Sequence, residues 1–118
     1  MKEGLVLFAH GSRDPEWARP FERIAAILRE RLPATAVGLA FLEHGASLEE
    51  VVAVLVAKGA GSIRVVPVFL GQGGHVKDDL PRLVASASRG DVKIRLDKPI
   101  GEQPEVVEAI AAAIAAVR

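Results

Sequence analysis

The chain contains no cysteine among its 118 residues. That excludes disulfides, thiolate zinc sites and cysteine-ligated iron–sulfur clusters, so any bound metal has to be held by His, Asp or Glu. Aromatic residues are scarce, with four Phe, one Trp and no Tyr. So few rings make a poor stacking platform for single-stranded nucleic acid. Neither sign of charge dominates, because 15 basic residues face 15 acidic ones. A generic nucleic-acid surface is therefore not expected. No run approaches the ~20 apolar residues of a membrane span. The first apolar run, Leu5 to Ala9, is too short for a signal peptide. A cytoplasmic protein with no nucleic-acid or membrane partner is the expectation.

What the chain does have is a core. Half of its residues are hydrophobic, which supports one packed domain over residues 1–118 and argues against disorder. A chain of this length can bury roughly two thirds of its unfolded surface without a staple. Leu5 to Ala9 is continuously apolar, as expected of a strand covered on both faces. Trp17, Phe21, Ile24, Leu28 and Leu32 then recur at helical spacing. Asp14-Pro15 reads as the N-cap and first residue of that helix, Pro20 either kinks it or delays its start, and Pro33 ends it.

Val37 to Leu42 is the second predicted strand. Ser47 with Glu50 forms a capping box for a helix whose buried face is Leu48, Val51, Val52 and Leu55, with Gly59 just past its end. Ile63 to Leu70 is the third strand, in which Pro67 departs from central-strand expectation. The third helix is predicted to start near Leu80-Pro81 and to end before Gly90. Val92 to Leu96 alternates and suits an edge. Gln103-Pro104 opens a last helix whose Val106, Val107, Ile110, Ile114 and Val117 are predicted to face inward. The order is β-α-β-α-β-α-β-α. It implies an α/β fold: a four-stranded, mainly parallel sheet with helices on both faces, a flavodoxin- or Rossmann-like three-layer sandwich.

Ligands of such sheets bind beyond the carboxyl ends of the strands. All three histidines (His10, His44 and His75) fall at that edge, and Glu43 joins them. A His and Glu cluster suits a divalent transition metal. His10 and His75, each in a glycine-flanked loop, are the better metal candidates; His44 is either a contact or loop surface. Glu43 is a general base, a ligand or a solvated carboxylate. Gly71-Gln72-Gly73-Gly74 either lets backbone approach a ligand closely or makes a tight turn.

That loop is no Walker A, because no Lys-Ser/Thr follows its last glycine, and Val76 occupies the third glycine position of G-x-G-x-x-G. Nucleotides are poor candidates. No G-x-S-x-G elbow is present for a serine hydrolase. Ala9 precedes His10 where a histidine phosphatase would place arginine. Arg13 and Lys77 each follow a key histidine, either to pair with carboxylates of an acidic substrate or as solvated charges. Ser12, Arg13, His44, the residues Gly71, Gln72, Gly73 and Gly74, and Lys77 are the candidate substrate contacts.

At His10-Gly11-Ser12-Arg13-Asp14-Pro15, Phe41-Leu42-Glu43, and Val66-Pro67-Val68-Phe69-Leu70 followed by Gly73-Gly74-His75-Val76-Lys77-Asp78-Asp79-Leu80-Pro81, the sequence resembles the short CbiX family of sirohydrochlorin chelatases. Pro99-Ile100-Gly101 resembles it too. The resemblance implies a class II chelatase fold and insertion of Co²⁺, as substrate, into sirohydrochlorin on the way to cobalamin. Similar short chelatases act with nickel or iron, towards coenzyme F430 or siroheme. A carrier that binds metal or tetrapyrrole without turnover is the alternative of another class. The family's metal histidines carry over onto His10 and His75, and its acidic residue onto Glu43. Longer relatives carry two such halves, so a chain this short is expected to form its cleft as a homodimer. Family members often have proline shortly after the glutamate, where this chain has His44-Gly45-Ala46.

Overall fold

The apolar run that opens the chain is the core of β1, Lys2–Ala9, and every residue of it from Gly4 onward is buried. The computed structural model describes residues 2–70 and 74–117, and of residues 74–77 the backbone. β1 lies between β2 (Thr35–Phe41) and β3 (Ala60–Pro67), and β4 (Lys93–Leu96) flanks β3. All three pairings are parallel, in the order β2-β1-β3-β4. The sequence expectation of a four-stranded parallel sheet with an alternating edge strand holds.

Successive strand residues point to opposite faces, and the core divides accordingly. Val6, Phe8, Ile63 and Val65 meet Leu48, Val52 and Leu55 of α2 (Leu48–Ala57) and Leu80 and Ala87 of α3 (Gly74–Ala87). On the other face Leu5, Leu7, Val37 and Val66 pack with Ala25 and Leu28 of α1 (Arg19–Arg31). Two helices thus cover one face and a single helix covers the other. Each fully buried aliphatic side chain contributes roughly 1.5–3 kcal/mol.

The local signals behave as their chemistry requires. Asp14 caps a 3₁₀ turn at Pro15–Ala18, and α1 begins at Arg19 with Pro20 in its first turn, where no amide is needed. Pro20 therefore delays the helix and does not kink it. Ser47 Oγ accepts the Glu50 amide at 3.1 Å, and Gly59 follows the C-cap Lys58 with φ +98°. Pro67 is tolerated as the last residue of β3. The Val68 amide donates to Phe8 on the β1 side at 2.8 Å. The amide that Pro67 lacks would face β4, which has already ended at Leu96. At the β2 edge, Arg29 Nη2 donates to the Val37 carbonyl at 3.0 Å.

Three expectations need correction. β3 ends at Pro67, short of Leu70. α3 begins at Gly74, before Leu80-Pro81, so Pro81 lies inside it; Leu80, Leu83, Val84 and Ala87 make its inward stripe, and exposed Pro81 withholds one amide from the ladder. The last helix, α4 (Pro104–Ala116), does not turn its apolar stripe inward. Val106 is only partly covered, and Val107, Ile110, Ile114 and Val117 are exposed. Helical periodicity says which residues share a face, and that face has little cover among the described residues.

Leu55→Ala is expected to lower the urea-unfolding free energy by about 2–5 kcal/mol, since its side chain sits fully inside the two-helix face. Ser47→Ala removes one cap bond and is expected to lower it by about 1 kcal/mol. Equal losses for the two variants would show that the core is not where the packing places it.

Candidate metal and substrate site

The β1–β2 ladder outlasts its strands. Beyond Ala9 and Phe41, the Leu42 amide donates to the Ala9 carbonyl at 2.9 Å and the Glu43 amide to the His10 carbonyl at 3.1 Å. The two chains therefore leave the sheet in register, with Glu43 beside His10. The Glu43 carboxylate lies 3.7 Å from His10 Nδ1 and 3.9 Å from His44 Nε2. All three residues are exposed at the carboxyl edge of the sheet. β1 and β3 are also where the strand order reverses direction, the usual crevice of such folds.

The His10 Nδ1 stands 3.2 Å from the Gly11 carbonyl. A carbonyl only accepts, so Nδ1 is the donor of this contact, and in the neutral ring Nε2 is then the nitrogen with the lone pair. Gly11 makes this arrangement possible, with φ +97° and a backbone so close to Glu43 that a Cβ would lie 1.8 Å from the Glu43 carbonyl oxygen. His44 adopts a left-handed φ of 59°, which reverses the chain so that the Phe41 amide donates to the Ala46 carbonyl at 2.8 Å. The His44-Gly45-Ala46 departure thus forms a closed loop holding Glu43 at its start.

Ser12 Oγ accepts the Asp14 amide at 3.2 Å and shapes the following loop, and Arg13 is exposed with no ion pair among the described residues. His75 and Lys77 are the second and fourth residues of α3, so their backbone lies in the first helical turn, where a loop was predicted. Gly74 opens that helix. Gly71, Gln72 and Gly73 lie outside the described residues. Among the described residues no three His, Asp or Glu side chains converge to hold a metal ion. The structure brings His10, Glu43 and His44 together.

One feature beside the site escaped sequence reasoning. The helical spacing puts Trp17 on the face of the first helix, but it sits in the preceding 3₁₀ turn, its ring 4.7 Å from Phe21 and 6.3 Å from Phe41. Phe41 in turn lies against Gly45. The aromatic cluster makes an apolar shoulder for the Glu43 loop. The signal was available: the chain's one Trp follows closely on the His-Gly motif.

Gly11→Ala is expected to push the Glu43 loop away from His10 while sparing the buried sheet. Far-UV circular dichroism should be unchanged, and Co²⁺ affinity by calorimetry should fall by about tenfold or more, or ~1.4 kcal/mol. Unaltered affinity would mean that the His10–Glu43 approach does not matter to the metal.

Known proteins resemble this chain over most of its length. The CbiX family model matches residues 4–117. A sirohydrochlorin cobaltochelatase of Sulfolobus acidocaldarius is 33% identical over 106 residues, covering 89% of this chain and 84% of that protein. Among solved structures, the putative cobalamin biosynthesis CbiX protein of Marinobacter aquaeolei superposes with a TM-score of 0.84 at 31% identity, covering 96% of this chain and 94% of the other. The sirohydrochlorin chelatase SirB of Bacillus subtilis subspecies spizizenii, solved in complex with cobalt, gives 0.85 at 28% identity. The match there covers 99% of this chain but 51% of SirB, so the chain spans about half that protein's length. With the family model covering nearly every residue and the fold shared from end to end, the chain belongs to the CbiX family.

Proposed function

We propose that the chain is a sirohydrochlorin chelatase, a lyase that inserts Co²⁺ into sirohydrochlorin for cobalamin biosynthesis. It works without a nucleotide, in the cytoplasm, as a homodimer. The observation that carries the reading is the His10–Glu43 pair held in register at the carboxyl edge of the sheet, in a chain of the CbiX family.

Insertion exchanges two pyrrole N–H protons for one divalent ion, so the site has to hold the ion loosely and accept protons. The neutral His10 imidazole offers Nε2 to the ion, and His75 supplies a second imidazole. Two protein ligands leave open positions into which the macrocycle nitrogens can replace water. Glu43, 3.7 Å from His10, takes a pyrrole proton as the metal–nitrogen bonds form. Arg13 and Lys77, on either side of the site in sequence, bind the carboxylates that fringe sirohydrochlorin. The flat ring lies over the glycine loop 71–74, with Ser12, Gln72 and His44 at its margin. Metal–nitrogen bond formation and release of both protons drive the reaction, which leaves a nucleotide no step to perform.

The test is an anaerobic visible-absorbance assay with sirohydrochlorin and Co²⁺. His10→Ala and His75→Ala are each expected to lower kcat/KM by about 10²-fold or more. Glu43→Gln, which keeps size but removes the base, should lower kcat by a similar factor with little change in KM. Two protons per inserted ion should appear in weak buffer. A single spectral change per protein would indicate a carrier. A rate equal to the blank with Co²⁺, Ni²⁺ and Fe²⁺ alike would sink the chelatase reading.

A further inference from the structure

Among the described residues His44 is the one non-glycine residue with a left-handed backbone, at φ 59°. A side chain in that region carries a cost, and it persists where the surroundings or the function demand it. The turn itself does not ask for histidine, since glycine or asparagine would adopt it more readily. The glycine of this loop stands one place later, where a Cβ on Gly45 would collide with the Phe41 ring. Packing thus explains Gly45 and leaves the imidazole at position 44 without a structural reason.

That imidazole has a partner of a particular kind. Nε2 of His44 stands 3.9 Å from Oε1 of Glu43, and the same oxygen lies 3.7 Å from Nδ1 of His10. The His44 side chain is the most covered of the three, at 35% exposed against 53% for Glu43 and 50% for His10. The ring is therefore held against the protein. As an exposed ion pair, these neighbours would contribute little to stability. As donors to one metal ion they are nearly placed. With bonds of about 2.1 Å, an ion sets two adjacent donors about 3.0 Å apart at a right angle and about 3.4 Å apart at the tetrahedral angle. The observed separation exceeds these by about 0.5–0.9 Å, within reach of a rotation of the exposed Glu43 carboxylate.

This position is distinct from the one that His10 serves. His10 turns Nδ1 towards Glu43 and the Gly11 carbonyl, so Nε2 lies on the opposite edge of its ring. An imidazole nitrogen with a carboxylate oxygen suits Co²⁺, Ni²⁺ and Fe²⁺. Among the described residues no third His, Asp or Glu completes a metal cluster, so water takes the other positions on the ion. Such a site is weak, and weakness is what an ion that must be handed on requires.

We infer that Glu43 and His44 form a loading station for Co²⁺, which takes the hydrated ion at the rim and passes it to His10 and the macrocycle. The inference rests on the chelatase reading above and adds a metal position to it. Two waters leave the ion as the carboxylate oxygen and Nε2 bind, before the macrocycle nitrogens replace the rest. Departure of the ion then frees the Glu43 carboxylate for its part as base.

The chain has three histidines, so in His10→Ala with His75→Ala the His44 imidazole stands alone. That protein, isotope-labelled at histidine, is titrated with Co²⁺ and followed by nuclear magnetic resonance. A saturable paramagnetic shift of the His44 ring nitrogens is expected, and a further Glu43→Gln should weaken the affinity by about tenfold or more. No saturable shift, or one that Glu43→Gln leaves unchanged, would overturn the station. His44→Asn, which accepts the left-handed turn, tests it in the otherwise unaltered chain. There the KM for Co²⁺ is expected to rise about tenfold while that for sirohydrochlorin holds. A rise for sirohydrochlorin alone would make His44 a ring contact and overturn the station, as would no rise for either. If no metal supports turnover yet the ring nitrogens still shift, the chelatase reading fails and the metal position stands.

Discussion

Everything in the site depends on the register of β1. That strand has a parallel neighbour on each side and is buried from Gly4 to Ala9. A slip of one residue would turn Leu5 and Leu7 to the two-helix face and Val6 and Phe8 to the other, undoing both halves of the core at once. Because the hydrogen bonds continue past Ala9 to His10 and Glu43, the same constraint sets the chemistry. The carboxylate meets the imidazole as the next rung of the ladder. A strongly determined hydrophobic register thereby fixes the placement of two exposed polar side chains.

The sheet was legible in the sequence because its signals are local and strong. Apolar β-branched runs, the Ser47 cap, Gly59 and the alternation of elements all point to an alternating α/β fold on a parallel sheet, and that fold is observed; the strand order is not in them. The site was legible as a set of positions, since strand-end loops of a parallel sheet gather at one edge. Its fine geometry was not. The close backbone approach at Gly11, where a Cβ would collide with the Glu43 carbonyl, and the left-handed His44 are tertiary facts. The start of α3 was misplaced at Leu80-Pro81 because its inward stripe, Leu80, Leu83, Val84 and Ala87, begins only there, whereas the helix begins at Gly74. Trp17 was misplaced because helical spacing cannot tell a 3₁₀ turn from the α-helix that follows it.

α4 fails for a different reason. Its pattern correctly reports an amphipathic helix, but periodicity carries no information on which molecule supplies the cover. The homodimer proposed above would set two copies of the His10, Glu43 and His75 positions around one cleft, one from each protomer. In a chain of double length the two halves could diverge in sequence, which identical protomers cannot do.

The Arg29 contact has a consequence for how molecules of this protein can meet. β2 is an edge strand, and an open edge is a template onto which further strands can add. The guanidinium on the Val37 carbonyl occupies one acceptor of that edge, while the opposite edge is a four-residue strand bearing Lys93 and Arg95. Growth of a continuous sheet from copy to copy, the route to fibres, is blocked at one side and repelled at the other. Copies of the molecule are left to associate through faces and helices.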